Sequence, residues 1–143
     1  IQKQLVCLMN KPGINFMRSL LVMFLIISFS SKAYSALPTT IIKSCYDGDT
    51  CTTIDGEKIR LACIDTPELK GKKADPVAAR EARDFLNNLV TNEEVSIRRI
   101  TKDKYERTVA ELFKNDTNVQ ELIVDEGYGK IYERYAYQCN WTQ

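Results

Sequence analysis

The segment from Arg60 to Glu68 constrains the fold of this chain more than any other part of the sequence. Apolar side chains alternate at Ile59, Leu61 and Cys63, which is typical of a β-strand with one buried face. Arg60 therefore points to the opposite, polar face, and two carboxylates follow where the strand ends. An arginine beside carboxylates at a strand end suits a metal ion and a phosphate bound side by side.

A second acidic segment, Asp47-Gly48-Asp49-Thr50, precedes this strand. On its own it is compatible with an ordinary turn, because aspartate and glycine are common there. Combined with Arg60 and with Asp65-Thr66-Pro67-Glu68, it predicts a site for a hard cation. Two carboxylates from neighbouring strand ends, here Asp49 and Asp65, are oxygen ligands of the kind that such cations prefer.

At this point the chain resembles the staphylococcal nuclease (thermonuclease) family. The matching motifs are Asp-Gly-Asp-Thr at 47–50, Arg-Leu-x-x-x-Asp-Thr-Pro-Glu at 60–68, and Tyr-Glu-Arg at 105–107 where the family has Tyr-Gly-Arg. The resemblance extends from about residue 43 to residue 135. It implies an α+β fold in which a five-stranded OB-fold barrel carries two short helices.

The resemblance also implies a calcium site. Asp49 and Asp65 match the aspartates that bind Ca²⁺ in the family, and the carbonyl of Thr66 matches a further ligand. Asp47 matches a supporting residue close by. The activity implied is that of a secreted, Ca²⁺-dependent nuclease that hydrolyses DNA and RNA with little sequence preference, gives 3′-phosphate ends and acts as a monomer.

The catalytic residues implied are Arg60, Arg107 and Glu68. A guanidinium matches two phosphate oxygens and can stabilise the charge of a five-coordinate transition state. A glutamate beside the metal can deprotonate or orient the attacking water. As single residues, Arg107 would pass for a solvated charge and Glu68 for a surface glutamate.

Three further residues are expected to contact the substrate. Tyr105 and Tyr135 match family tyrosines that contact the nucleotide, and Lys70 belongs to a basic loop at 70–73 that resembles the mobile loop of the family. A tyrosine that merely packs with its hydroxyl in water, and a solvated loop, are the alternatives. Glu106 stands where the family has glycine, so we expect a strained backbone angle there or a negative charge beside the phosphate clamp.

The N-terminal part is typical of a secretory signal peptide. Met17-Arg18 is followed by an apolar run over 20–29 and by small residues up to Ser35. A membrane anchor is the alternative, but the run is shorter than the roughly 20 residues of a spanning helix. We expect 1–35 to be upstream residues plus signal peptide, cleavage after Ser35, and a secreted or periplasmic nuclease domain over 36–143.

Net charge and residue composition limit how the chain could bind nucleic acid and which catalytic groups it could use. Removal of the leader takes away four of the 20 basic residues and none of the 19 acidic ones, which leaves a net charge of −3. Nucleic acid would therefore have to be bound by a few local arginines and a cation, because bulk charge would repel it. The chain has no histidine, which excludes nucleophile systems and zinc sites that depend on that residue.

Four cysteines remain after the leader: Cys45, Cys51, Cys63 and Cys139. An even number in a small exported domain predicts two disulfides, with three pairings open. Four buried thiols are the second possibility and a zinc site is the third, since no Cys-x-x-Cys spacing occurs. A bond from Cys139 would attach the tail to the barrel.

Periodicity and turn signals predict five strands, with one helix between the third and the fourth and another after the fifth. The strands are expected at 39–46, 50–54, 57–64, 95–100 and 108–113. Asp75-Pro76 opens the first helix, whose buried stripe is Ala78, Ala82, Phe85, Leu86 and Leu89, and the second spans 119–126. This order suits a small closed barrel.

Two other functions are compatible with the sequence. One is a non-catalytic barrel that binds nucleic acid or protein; such domains usually lack the arginines and carboxylates named above. The other is an exported structural domain in which Ca²⁺ only stabilises the fold. Binding without cleavage in the presence of Ca²⁺ would favour the first, and metal-dependent melting without any effect of nucleotide would favour the second.

Overall fold

A computed structural model describes residues 36–143; the predicted signal peptide and its cleavage site lie outside the described residues. The strands and helices are β1 (Thr39–Cys45), β2 (Thr50–Thr53), β3 (Lys58–Leu61), β4 (Ile64–Asp65), α1 (Pro76–Val90), β5 (Glu94–Lys102), β6 (Thr108–Lys114), β7 (Thr117–Asn118), α2 (Val119–Asp125) and β8 (Lys130–Ile131). Two 3₁₀ helices, Glu133–Gln138 and Asn140–Thr142, follow. No helix among residues 36–143 has both the length and the apolar character that crossing a bilayer requires.

Five of the strands form a closed barrel. Their order is β3-β2-β1-β5-β6, and the barrel closes because β3 pairs in parallel with β6, with Arg60 opposite Val109. The short strand β7 extends β6, and β4 pairs separately with β8. The predicted five-stranded barrel of an α+β protein is thus confirmed, with α1 between its third and fourth strands.

The barrel encloses the main hydrophobic core. Its members include the fully buried residues Ile42, Ile59, Leu61, Ile97 and Leu112, one or two from each long strand. These side chains occupy alternate positions along their strands. The residues between them, such as Arg60, therefore point away from the core. Burial of such side chains supplies most of the free energy that stabilises the fold.

The prediction of one continuous third strand over 57–64 is wrong. Strand β3 ends at Leu61, and the chain turns at Ala62 and Cys63 before it resumes as β4. Cys63 has φ +65°, a left-handed conformation that an extended strand cannot contain. Its side chain leaves the main core and packs in a second, smaller cluster with Cys139. The turn redirects the following residue, Ile64, toward β8.

Helix α1 begins as the sequence predicts. The side chain of Asp75 accepts a hydrogen bond from the backbone N–H of Ala78 at 3.1 Å, and Pro76 is the first helical residue. The helix buries Ala79, Ala82, Leu86 and Val90, with Phe85 and Leu89 partly buried beside them. The predicted stripe is therefore right except at its start, where Ala79 is buried and Ala78 only half-buried.

Helix α2 is attached to the barrel through a buried amide. The side chain of Asn118 caps the helix by accepting from the N–H groups of Gln120 and Glu121. Gln120 is fully buried; its Nε2 donates to the carbonyl of Ala110, and its Oε1 accepts from the N–H of Leu112. These two bonds satisfy both polar atoms of the Gln120 amide, so a polar residue is stable inside the fold.

The four cysteines form two disulfides, Cys45–Cys51 and Cys63–Cys139. This is one of the three possible pairings. It rules out free thiols and a zinc site at these four cysteines. The first bond joins β1 to β2 at the base of the turn between them. The second attaches the tail to the turn between β3 and β4, as expected for a bond from Cys139.

We predict that the two disulfides differ in their contribution to stability. They close loops with sequence separations of 76 and 6 residues, and the entropy that a cross-link removes from the unfolded chain grows with loop length. The double replacement Cys63→Ala/Cys139→Ala should lower the free energy of unfolding by roughly 4 kcal/mol, and Cys45→Ala/Cys51→Ala by roughly 2 kcal/mol. Urea denaturation of the oxidised proteins measures both. Equal losses would show that packing, not loop closure, sets the contribution.

Candidate active site

The polar residues singled out by the sequence meet at one end of the barrel. They come from the β1–β2 turn at 46–49, the start of β2, the end of β3 with the following strand β4, and the β5–β6 loop at 103–107. The parallel pairing of β3 with β6 brings the last of these beside the others. Segments more than 50 residues apart along the chain thus share one surface.

Asp49 is the centre of this cluster. Its residue is only 6% exposed, yet its carboxylate is satisfied from several directions. Oδ1 accepts from the hydroxyl of Thr50 at 3.1 Å, Oδ2 accepts from the hydroxyl of Thr66 at 2.9 Å, and Nη2 of Arg60 lies 3.1 Å from Oδ2. The backbone N–H of Asp49 donates to Oδ1 of Asp47, 3.1 Å away, so the turn holds its own aspartates in place.

Arg60 joins Asp49 to the broken strand. Its Nη1 donates to the carbonyl of Leu61 at 2.7 Å and its Nη2 to the carbonyl of Ile64 at 3.0 Å. These two carbonyls lie at the turn that interrupts the predicted strand. In a continuous strand they would accept from backbone N–H groups, and here the guanidinium provides the donors instead. Arg60 has an 18% exposed side chain and is ordered by three contacts on the protein side.

Close packing of backbone segments sets the position of Thr66. A Cβ atom added at Gly48 would lie 2.8 Å from the Cβ of Ala82 on α1 and 2.9 Å from that of Thr66. One added at Gly129 would lie 3.1 Å from Cγ2 of Thr66 and 3.3 Å from the carbonyl of Asp65. Any larger residue in the first turn would force these segments apart, which explains the glycine in the Asp47-Gly48-Asp49 motif.

Arg107 is linked to this cluster through Thr50. Its Nη1 donates to Oγ1 of Thr50 at 3.2 Å, and the same hydroxyl donates to Asp49. The Nε of Arg107 donates to Oδ2 of Asp103 at 2.8 Å, and Nη2 lies 2.8 Å from the same oxygen. The two arginines predicted to bind phosphate therefore belong to one connected network, in which Asp49 contacts the first directly and the second through one hydroxyl.

Asp103 organises the loop that carries Arg107. Its Oδ1 accepts from the backbone N–H groups of Tyr105 and Arg107, at 2.9 and 3.0 Å. Burial acts to raise the pKa of Asp103, but hydrogen bonds led by that of the Arg107 side chain hold it below the ordinary value of 3.8. Tyr105 is 66% exposed, and its ring lies 5.4 Å from Cζ of Arg107. An accessible aromatic face thus lies beside the arginine.

Glu106 lies in the same loop with φ +61°. This is the left-handed region that glycine adopts at little cost and most other residues avoid. The prediction that a glycine-like backbone angle is imposed on this glutamate is confirmed.

Asp65 lies beside an open cavity, and Tyr135 packs against one of the residues that line it. The two-residue strand pair β4–β8 places Asp65 opposite Lys130, whose Nζ lies 3.5 Å from Oδ2 of Asp65. A cavity of about 600 Å³ opens here, lined by both residues and by the start of the first 3₁₀ helix, including Tyr132 and Arg134. Tyr135 makes an edge-to-face contact with Tyr132, their ring centroids 5.2 Å apart.

Glu68 and Lys70 are exposed, and their side chains form no hydrogen bond or ion pair with the rest of residues 36–143. The backbone carbonyl of Glu68 accepts from the N–H of Asp75, which fixes the chain at that point. The structure thus joins the predicted residues Asp47, Asp49, Arg60, Thr66, Arg107 and Tyr105 by contacts. It leaves Glu68 and Lys70 free in solvent on the segment that follows Thr66.

Comparison with known proteins bears on this cluster. Residues 58–142, more than half of the chain, match the model of the family described as staphylococcal nuclease homologue. The chain belongs to this family. The matched range starts at the first residue of β3. It therefore contains Arg60, Arg107, Asp65 and the β5–β6 loop.

Some of the individual relatives carry endonuclease names, whereas the Bacillus anthracis relative is named only as an uncharacterized protein. An uncharacterized endonuclease of Haemophilus influenzae is 29% identical over 129 residues, which are 87% of this chain and 68% of the relative. A protein of Bacillus anthracis is 34% identical over 67% of this chain and 47% of its own length. "Probable endonuclease LCL3" of Leptosphaeria maculans is 34% identical over 52% of this chain. The chain spans 27% of that fungal protein, so most of the latter lies outside the match.

The staphylococcal nuclease family is generally Ca²⁺-dependent, and the residues present fit such an ion. Asp49, Asp65 and Thr66 offer hard oxygen donors. A carboxylate has about four acceptor positions, and three donors contact Asp49, so a position on Oδ1 remains. Within residues 36–143, no three or more acidic, cysteine or histidine side chains are grouped so that they could hold a metal ion by themselves. Water and substrate would have to complete the coordination.

The burial of Asp49 is a second indication that a cation fits this site. It raises the pKa of Asp49 to about 6 from its ordinary value of 3.8; Arg60 opposes this shift and Asp47 adds to it. The contacts from Arg60 and the two threonines therefore do not fully offset the cost of burying this negative charge. A cation bound beside it would.

Two residues of the cluster were not assigned roles from the sequence. Thr50 belongs to the first motif but was not singled out, because a hydroxyl that links two distant segments has no local signature. Asp103 was missed although a signal exists: an aspartate that opens a hairpin loop often accepts from N–H groups two residues on. Lys130, opposite Asp65, depends on the β4–β8 pairing and has no signal of this kind.

We predict that Asp49→Asn stabilises the protein in EDTA at pH 8. The raised pKa means that folding is penalised wherever Asp49 is ionised in the unfolded chain but resists ionisation in the folded one. The penalty is absent below pH 3.8 and grows to about 3 kcal/mol above pH 6. Urea denaturation should therefore give the variant an advantage of about 3 kcal/mol at pH 8 that shrinks to about 1 kcal/mol at pH 4.5.

The matched control is Asp55→Asn, which removes an exposed aspartate from the turn between β2 and β3. It should change stability little at either pH. An advantage for Asp49→Asn that does not depend on pH would contradict the burial argument.

We predict that Glu106→Gly stabilises the protein by about 1 kcal/mol, because glycine removes the cost of a left-handed angle. Asn92 has the same φ of +61°, but asparagine tolerates it better, so Asn92→Gly should give no gain. Glu106→Gln keeps the side chain and removes only its charge. Thermal unfolding of the three variants separates backbone strain from charge, and an equal gain from glutamine would reject the strain.

Proposed function

We propose that this protein is an exported, Ca²⁺-dependent phosphodiesterase that hydrolyses DNA and RNA with little base preference and leaves 3′-phosphate ends. The observation that carries the proposal is the connected cluster Arg60–Asp49–Thr50–Arg107. It places two guanidinium groups and a buried carboxylate on one surface, and membership of the nuclease family gives that combination its chemistry. We also propose that it acts as a monomer.

In the proposed reaction, the protein's residues position the phosphate and the attacking water. Asp49, Asp65 and Thr66 would hold Ca²⁺, which supplies positive charge for the non-bridging phosphate oxygen. Arg107 and Arg60 donate hydrogen bonds to the same phosphate, and they stabilise the additional negative charge that develops as water attacks. Arg60 would do so with the N–H groups that its contacts to Leu61, Ile64 and Asp49 leave free.

Glu68 is the proposed general base. Its exposed carboxylate follows Thr66 by two residues and carries no other hydrogen bond within residues 36–143, so it is available to a water molecule. The 5′ oxygen leaves the phosphorus, which gives the 3′-phosphate product. Lys70 on the same segment, Tyr105 beside Arg107, and Tyr135 beside the cavity-lining Tyr132 would contact the polynucleotide.

Export is supported by the leader pattern at 17–35 and by the two disulfides. Bonds of this kind form in oxidising compartments and are rare in the cytosol. We propose a secreted or periplasmic location, with cleavage after Ser35.

A non-catalytic binding module is the second candidate. Its support is the net charge of −3 and the glutamate at position 106, beside Arg107. Both would weaken binding of a polyanion and favour a protein partner.

We predict that the oxidised protein releases acid-soluble nucleotides from single-stranded DNA when Ca²⁺ is present, and that EDTA abolishes the release. Treatment of a labelled oligonucleotide product with phosphatase then tests for 3′-phosphate ends. Binding of the oligonucleotide in Ca²⁺ without cleavage would reject the enzyme and leave the binding module.

Variants test the assigned roles. Glu68→Ser and Arg60→Gly should each lower kcat/KM by several orders of magnitude, since each removes a group proposed to act in the transition state. Glu94→Gln serves as a matched control, because Glu94 accepts a hydrogen bond at 2.7 Å from Thr39, which lies at the end of β1 opposite the β1–β2 turn. Near wild-type activity of Glu68→Ser in a folded protein would show that Glu68 is not the base.

A further inference from the structure

The Arg107 side chain is held on two sides by the protein. Nε donates to Oδ2 of Asp103 at 2.8 Å, Nη2 lies 2.8 Å from the same oxygen, and Nη1 donates to Oγ1 of Thr50 at 3.2 Å. A guanidinium has five N–H donors in one plane. Two of them, Nε–H and one N–H of Nη1, form hydrogen bonds, and Nη2 also contacts Asp103, so both terminal nitrogens keep N–H groups that are not used within the protein.

N–H groups on the two terminal nitrogens of a guanidinium can bind two oxygens of a phosphate. The Arg107 side chain is 25% exposed, so this edge remains accessible although most of the residue is enclosed. Arg60 differs, because its terminal nitrogens already donate to two backbone carbonyls and contact Asp49. Of the two arginines, Arg107 therefore has the edge better prepared for a bidentate contact.

We propose that Asp103 is a positioning residue for this reaction: with Thr50, it fixes the guanidinium plane of Arg107 before substrate arrives. This inference rests on the proposed function. An arginine side chain that must be ordered on binding loses rotamer freedom, and Asp103 removes this cost in advance. It does not touch the substrate; it acts through Arg107.

Thr50 gives this arrangement its link to the metal side of the site. One hydroxyl donates to Asp49 and accepts from Arg107, so the distance between the carboxylate and the guanidinium is set by a single atom. Thr50 thereby fixes the position of the phosphate-binding Arg107 relative to Asp49, the proposed Ca²⁺ ligand. Misplacement by about 1 Å at such a site costs on the order of 100-fold in rate.

The substitution Asp103→Asn separates the two functions of this side chain. The amide oxygen can still accept from the N–H groups of Tyr105 and Arg107, as Oδ1 of Asp103 does now. The amide nitrogen cannot accept from the guanidinium, so only the contact to the Arg107 side chain is lost. Asp55→Asn makes the same change of charge in the turn at the other end of β2 and is the matched control.

Activity is measured first, on single-stranded oligothymidylate with Ca²⁺. We expect Asp103→Asn to lower kcat/KM roughly 10- to 100-fold, and Arg107→Ala to lower it by about 100- to 1,000-fold. In the Arg107→Ala background, Asp103→Asn should cost no more than about threefold, because the residue through which it acts is gone. Equal losses in both backgrounds would overturn the proposal in favour of general damage to the loop.

A second measurement does not depend on nuclease activity. The Nε–H of Arg107, identified by its absence in Arg107→Lys, should give a slowly exchanging NMR signal in the wild-type protein and in Asp55→Asn. Asp103→Asn should broaden or lose it. A signal that persists in Asp103→Asn would overturn the positioning role.

The two measurements also separate this inference from the proposed function. If the wild-type protein does not cleave DNA, the proposed function fails. Binding of a 5′-phosphorylated oligothymidylate then decides the role of Asp103: weaker binding by Asp103→Asn than by Asp55→Asn supports it, and equal binding rejects it.

Discussion

The buried carboxylate of Asp49 is the interaction on which the rest of this site depends. It attracts Arg60, accepts from two threonine hydroxyls, and through Thr50 reaches Arg107. Such a charge is expensive to bury unless it is fully compensated, and its raised pKa indicates that compensation is incomplete. The fold thus carries a local cost at the place where a cation and a phosphate would be bound, which is common at functional sites.

Much of the barrel follows from local sequence signals. Alternation along β3, the Asp75-Pro76 helix start and the Asn118 cap each depend on neighbouring residues, so a single sequence contains the information. The break at Cys63 does not, because its left-handed angle is stabilised by a disulfide to Cys139 and by the pairing of β4 with β8. Contacts between distant residues, such as Arg107 with Thr50, likewise cannot be predicted from local signals, although the motifs that contain these residues are visible in the sequence.

Local charge, not net charge, governs how a domain of this composition could hold a polyanion. With a net charge of −3, residues 36–143 have no general attraction for nucleic acid, so each arginine needs an arrangement that makes it effective. In the structure, Asp49, Asp103 and backbone carbonyls contact part of the N–H groups of each guanidinium. Only the remaining N–H groups are then available to a phosphate. Both disulfides lie next to segments of the site, Cys45–Cys51 at the β1–β2 turn and Cys63–Cys139 just before Asp65.

The parallel pairing of β3 with β6 also has a consequence for the order in which the chain acquires its site. The acidic motifs and Arg60 lie within the first third of the domain, but Arg107 reaches them only when β6 closes the barrel across more than 40 intervening residues. Such a closure is entropically costly and tends to occur late in folding. A chain still emerging from a ribosome or a translocation channel would therefore hold the acidic half of the site without its second arginine. The complete arrangement and the complete barrel should form in the same step.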